Sequence, residues 1–186
     1  KMIRKERETA RASGLTIRAL TGDAIEPAHW DAFWAFYQDT GARKWGQPYL
    51  TREAFSLLGE RLGDRIVLIL AYDGDTPIAG ALNFAGRDAL YGRYWGCTRD
   101  VRFLHFELCY YQGIEYCIKH GLRYFDAGAQ GEHKLKRGFA PVMRYGSYLF
   151  ADTPLSGAIK AYFQQETEHL KAYSAAAEQA LPYKKT

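Results

Sequence analysis

Between positions 66 and 96 the chain alternates apolar, strand-like runs with tight turn signals, and this meander limits the fold more than any other stretch. Residues 66–72 (IVLILAY) lead into Asp73-Gly74-Asp75, a strong hairpin signal because glycine supplies the positive φ that such turns need. Residues 78–84 lead into Gly86-Arg87-Asp88, and residues 89–96 form the next run. Turns this short join antiparallel neighbours.

The flanking patterns complete a mixed architecture. Residues 15–20 (LTIRAL) alternate and read as a first strand. Pro27 opens a helix that places Trp30, Phe33, Trp34 and Tyr37 on one face and ends near Gly41. After the loop at 43–49, Thr51 caps a second helix, with Glu53-Ala54 in its first turn and Leu62-Gly63 at its end. A long helix is predicted over 105–120, stopping at Gly121. Strands follow at 123–127 and 144–151, and an amphipathic helix at 154–180. Antiparallel hairpins followed by a strand–helix–strand crossover give an α/β (α+β) fold, with a mixed, mostly antiparallel sheet covered by helices on both faces.

At 186 residues the chain suits one domain, expected over 15–186. Residues 1–14 read as a basic linker helix, with Arg4, Arg7 and Arg11 on one solvated face partly offset by Glu6 and Glu8. The net charge of +4 favours an anionic partner but does not by itself indicate nucleic-acid binding. Cys97, Cys109 and Cys117 are odd in number and form no CxxC pair, which points to a reducing, cytoplasmic setting. No apolar run is long enough to cross a bilayer.

Chemistry concentrates at the end of the strand at 123–127. The stretch FDAGAQGEHKLKRGFAP, residues 125–141, packs Asp126, Glu132, His133, Lys134, Lys136 and Arg137 among glycines. Strand ends in open α/β sheets are where ligands tend to sit.

The run Tyr91-Gly-Arg-Tyr-Trp-Gly-Cys97, then His105-Phe-Glu-Leu-Cys-Tyr-Tyr-Gln112, then Gly128-Ala-Gln-Gly-Glu-His-Lys134 resembles the FemAB-like peptidoglycan biosynthesis/recognition family. That family groups with the Fem aminoacyltransferases in the Gcn5-related acyltransferase (GNAT) superfamily, whose fold matches the element order above. The resemblance is to the second of two tandem GNAT-like halves. It implies an N-terminal half as partner, consistent with a chain that begins inside a helical pattern. It also implies transfer of an aminoacyl or other acyl group to a small-molecule or peptide amine, with aminoacyl-tRNA as donor and tRNA as a partner.

One stretch departs from ordinary GNAT enzymes. These hold the pyrophosphate of coenzyme A on a Gly-rich loop opening the long helix. Here that stretch is Cys97-Thr-Arg-Asp-Val-Arg-Phe-Leu-His105, without a glycine, so no acyl-CoA cofactor is predicted.

Acyl transfer to an amine needs a base, a stabiliser for the oxyanion, and groups that hold the partners together. Glu107 or His105, near the helix N-terminus, is the predicted base. The resemblance ranks Lys134 first as oxyanion or phosphate stabiliser. Arg93 and Arg137 are expected to orient anionic parts of the substrate, and Tyr94, Trp95 and Tyr111 to line the cleft. Gln112, Asp126, Gln130, Glu132 and His133 complete the predicted binding set. Tyr94 and Trp95 alternate along a strand, so one of them belongs to the core. No metal site is predicted: His105-x-Glu107 on a helix points its side chains about 200° apart. A coenzyme A-dependent N-acetyltransferase and a ligand-recognition half without chemistry are the competing readings.

Overall fold

The computed structural model of the protein describes residues 1–43, 48–129 and 131–183. The chain gathers into two compact units, Lys1–Ala129 and Gln130–Thr186.

The first unit is built on a sheet of strands β1 (Thr16–Leu20), β2 (Ile66–Asp73), β3 (Thr76–Ala85), β4 (Ala89–Cys97) and β5 (Tyr124–Asp126), which lie in that order. The first four pair antiparallel, and β5 joins β4 in parallel. The β2–β3 turn closes on the pair Asp73↔Thr76, with Gly74 at φ +59°, as the hairpin signal requires.

Helices cover both faces. On one side lie α2 (Pro27–Arg43) and α3 (Arg52–Leu62), the latter capped by Thr51 Oγ1, which accepts from the Ala54 N–H at 3.4 Å. Trp30, Phe33, Phe36, Tyr37 and Phe55 of these helices bury Ile66, Leu68, Leu70 and Tyr72 of β2. On the other side, Leu104, Leu108 and Cys117 bury Val67, Ile69 and Ala71. The alternation of β2 thus feeds two cores, which is why its sequence is apolar at nearly every position. Gly96 lets α2 sit directly on β4, because a Cβ there would overlap the Phe36 carbonyl.

The long helix differs from its predicted continuous α form. It runs as α-helix over Leu104–Phe106, as π-helix over Glu107–Tyr111 and again as α-helix over Gln112–His120. The three pieces together are α4. The Gln112 N–H bonds the Glu107 carbonyl five residues back, which widens the turn. Gly121, at φ +67°, ends α4 as predicted. The N-terminal helix α1 (Met2–Arg11) also departs from the linker reading. It buries Glu6 and Ala10, and Arg7 turns toward α4 instead of sharing a solvated face with Arg4 and Arg11.

The second unit holds a 3-10 turn at Glu132–Arg137 and the helix α5 (Ser156–Gln179). The strand predicted at 144–151 is not formed: among the described residues no other strand pairs with it. Its rings find contact on the helix instead, with Tyr148 and Phe150 at 5.8 and 6.2 Å from the Phe163 ring. Among the described residues no helix is long and apolar enough to cross a membrane.

Candidate active site

β4 and β5 stay together for only three pairs, Ala89↔Tyr124, Leu90↔Phe125 and Tyr91↔Asp126. Beyond Tyr91, β4 runs on to Cys97 with no ladder partner on that side among the described residues. The hydrogen-bond alternation of the β3–β4 pair shows which peptide groups face the gap. Thr98 N–H bonds the Ile78 carbonyl at 2.9 Å, so Ala79↔Cys97 and Ala81↔Trp95 are the non-bonded pairs of the ladder. The N–H and C=O groups of Trp95 and Cys97 therefore point away from β3, into the divergence. Arg43, at the end of α2, already claims the Cys97 carbonyl at 2.8 Å.

His105 packs on the α4 face of β4, beside the Trp95 side chain. Its ring makes an edge-to-face contact with Trp95 at 5.2 Å and with Tyr110 at 5.6 Å. The imidazole is half-buried.

On the opposite face, a β-bulge changes where Arg93 points. Leu82 pairs with Tyr94 and Asn83 with Gly92, leaving Arg93 as the extra residue. Simple alternation would send Arg93 to the face of Trp95. Instead its guanidinium sits 4.4 Å over the Tyr94 ring and donates to Tyr49 Oη at 2.9 Å. The Tyr49 and Tyr94 hydroxyls bond each other, and Tyr37 packs edge-on to Tyr94 at 5.2 Å. Burial and then the Tyr49 contact push the Tyr94 phenol well above its ordinary pKa, so it stays protonated. Of the Tyr94/Trp95 pair, Tyr94 belongs with the α2–α3 core and Trp95 with the α4 side. Tyr49 carried no sequence signal.

Glu107 meets a strong occupant. Only 1% of its side chain is exposed, and Arg7 grips both oxygens, Nε to Oε2 at 3.1 Å and Nη2 to Oε1 at 2.9 Å. Gln112 Nε2 adds a third bond to Oε1 at 2.8 Å. Arg7 also pairs with Glu115 and holds that carboxyl below its usual pKa, while both carboxylates raise the guanidinium further. Tyr111 is buried and donates to Glu6. Three predicted roles are therefore corrected. Glu107 is a buried counter-ion in a bidentate pair, not an accessible base. Gln112 is bonded to that counter-ion. Tyr111 is packed beneath α1 instead of lining a cleft. The signal that could have found this was Glu6, one of two acidic residues flanking Arg7 on an otherwise basic helix.

The remaining candidates follow in sequence from Asp126, at the end of β5, to Arg137. Asp126 Oδ1 accepts the Gly128 N–H at 2.9 Å, closing a turn. Gln130 lies outside the described residues. Within the second unit, the Lys134 N–H bonds the Gly131 carbonyl at 3.1 Å, and Phe139 N–H bonds the Lys134 carbonyl at 3.2 Å. Arg137 is buried and donates to the His133 carbonyl at 2.8 Å. Burial and then the Arg137 and Lys134 charges lower the His133 pKa. Glu132 accepts from Tyr173 of α5 at 3.5 Å.

Phe103 takes the left-handed φ of +64° where a glycine would be expected, and its ring stacks on Phe106 at 6.2 Å. The Leu104 N–H, which would face an anion, is bonded to the Val101 carbonyl at 3.0 Å.

Solved structures with the same architecture include aminoglycoside acetyltransferases. AAC(6')-Iy in complex with a bisubstrate analogue, CoA-S-monomethyl-acetylneamine, aligns over 74% of this chain and 99% of its own, with 14% identity and a TM-score of 0.51. The enzyme meta-AAC0020, from an uncultured soil metagenomic sample and in complex with sisomicin, aligns over 76% and 97%, with 11% identity and a TM-score of 0.50. Likeness at this level shows the fold, that of the GNAT acyltransferases. No curated protein sequence matches. The profile of the FemAB-like family, described as peptidoglycan biosynthesis/recognition, matches residues 1–185.

Proposed function

The chain belongs to the FemAB-like family, and from that premise we propose that it is an acyltransferase that joins an acyl group to an amine at the β4–β5 divergence. The observation that carries the reading is the unpaired edge of β4 at Trp95, with the His105 imidazole packed on the Trp95 ring. An exposed strand edge binds the amide groups of an extended ligand by main-chain hydrogen bonds.

In this reading His105 takes the proton from the acceptor ammonium. The freed amine attacks the acyl carbonyl carbon, and the bond from that carbon to the leaving oxygen of an ester donor breaks. The Trp95 N–H, fixed in the strand, donates to the developing oxyanion. His105 releases that first proton to solvent, takes the second from the now cationic nitrogen of the adduct, and hands it to the leaving oxygen as the carbon–oxygen bond breaks. The donor is an activated aminoacyl ester such as aminoacyl-tRNA. The aromatic, glycine-free start of α4 supports this over an acyl-CoA thioester. The acceptor is a small molecule or peptide with a free amine, and peptidoglycan precursors are the class the family description suggests.

The test supplies a mixture of charged tRNAs, or acetyl-CoA, with a lysine-containing stem peptide and follows the peptide by mass spectrometry. An aminoacyl mass gain from charged tRNA is expected. Acetyl transfer from acetyl-CoA would replace the donor assignment, and no gain with either would refute the activity.

A further inference from the structure

Among the described residues, Arg93 has donors to spare and no carboxylate to meet them. Among the described residues its one hydrogen bond goes to Tyr49 Oη, and no ion pair engages it. A guanidinium carries five N–H groups, so most of its donor capacity faces outward. The two phenols add to that surplus. Tyr49 and Tyr94 share one hydroxyl proton between their oxygens, which leaves the other hydroxyl proton to point elsewhere. Tyr94 remains protonated because burial holds its pKa up. The bulge places this group of donors two residues beyond the last β4–β5 pair, Tyr91↔Asp126, where the strands begin to part.

We infer that Arg93, Tyr49 and Tyr94 form an oxyanion clamp, which takes the carboxylate or phosphate group of a ligand at the mouth of the divergence. Stacking on the Tyr94 ring fixes the guanidinium plane, so its fork is pre-oriented for a planar two-oxygen group. Such a clamp selects substrates by a negative group set apart from the reacting amine or ester. This deepens the acyl-transfer reading and rests on the divergence being the active site, although binding at the clamp is measurable without turnover.

The test titrates the labelled protein by NMR with N-acetylglycine, with its neutral counterpart N-acetylglycinamide and with inorganic phosphate. At least one anion should shift the Arg93 and Tyr94 signals saturably, and N-acetylglycinamide should bind at least tenfold more weakly. Arg93→Ala should weaken that anion at least tenfold. Arg93→Lys should fall between, because it keeps the charge without the fork. Tyr49→Phe and Tyr94→Phe, which preserve the rings, should each cost severalfold. Tighter N-acetylglycine assigns the clamp to a carboxylate, and tighter phosphate assigns it to a phosphoryl group. Equal binding of the amide, an unchanged affinity in Arg93→Ala and Arg93→Lys, or no saturable shift with either anion would overturn the clamp. Arg93-dependent anion binding in a protein that transfers nothing would leave the clamp standing and refute the transferase reading instead.

Discussion

Removing the Arg7 side chain should destabilise the first unit by an amount that reports how far Glu107 depends on it. In Arg7→Ala the Glu107 carboxylate stays buried, with 1% exposure, and keeps only the Gln112 amide. Breaking a buried ion pair by removing one partner costs about 3–5 kcal/mol. Arg7 is 19% exposed, so water reaches part of the gap and the low end applies, about 3 kcal/mol. Removing both charges, in Arg7→Met with Glu107→Met, should cost less than either single change because no charge is left buried without its partner. Glu115→Ala removes an exposed partner and should cost about 1 kcal/mol or less. Urea unfolding followed by tryptophan fluorescence is suited to the measurement, because Trp30, Trp34 and Trp95 lie in the first unit. An Arg7→Ala cost under about 1 kcal/mol would refute the view of this pair as the bond that fastens α1 to the π-helical turn.

Gly96→Ala should abolish soluble folded protein or cost about 3 kcal/mol, since the added Cβ would overlap the backbone carbonyl of Phe36; thermal unfolding checks this. Acetyl-CoA should leave the melting temperature unchanged, and a saturable rise would contradict the reading of the Phe103 turn. His133 should titrate below the usual histidine range in NMR, and Lys134→Ala should raise its pKa. Because its folded pKa is depressed, the stability it contributes is complete above about pH 6.5 and lost as pH falls through the folded value. A His133 titrating at or above its ordinary value would contradict that surrounding.

The meander at 66–96 was legible because short turns and β2 packing are local or near-local facts, written in Gly74 and in the run IVLILAY. The helix stop at Gly121 and the Thr51 cap were legible for the same reason. The site was less so. Arg7 and Glu107 are one hundred residues apart, and no pattern along the chain couples them. The π-helical turn and the bulge at Arg93 each depend on tertiary partners, and a single extra residue in a ladder leaves no mark in composition. The alternating stretch at 144–151 shows the reverse failure. Its pattern suits a strand, yet a strand forms only where a neighbour offers hydrogen bonds, and its rings pack on α5 instead.

The most direct test of acyl transfer at the β4–β5 divergence compares the wild-type protein with His105→Ala and His105→Asn. Each is assayed for transfer from charged tRNA to a lysine-containing stem peptide, with circular dichroism confirming the fold. If His105 moves the proton, both variants lose turnover by about 100-fold or more. The wild-type rate should also rise with pH as the imidazole deprotonates, a dependence the variants should lack. Full turnover in a folded His105→Ala, or no transfer by the wild-type protein, would contradict the proposed chemistry.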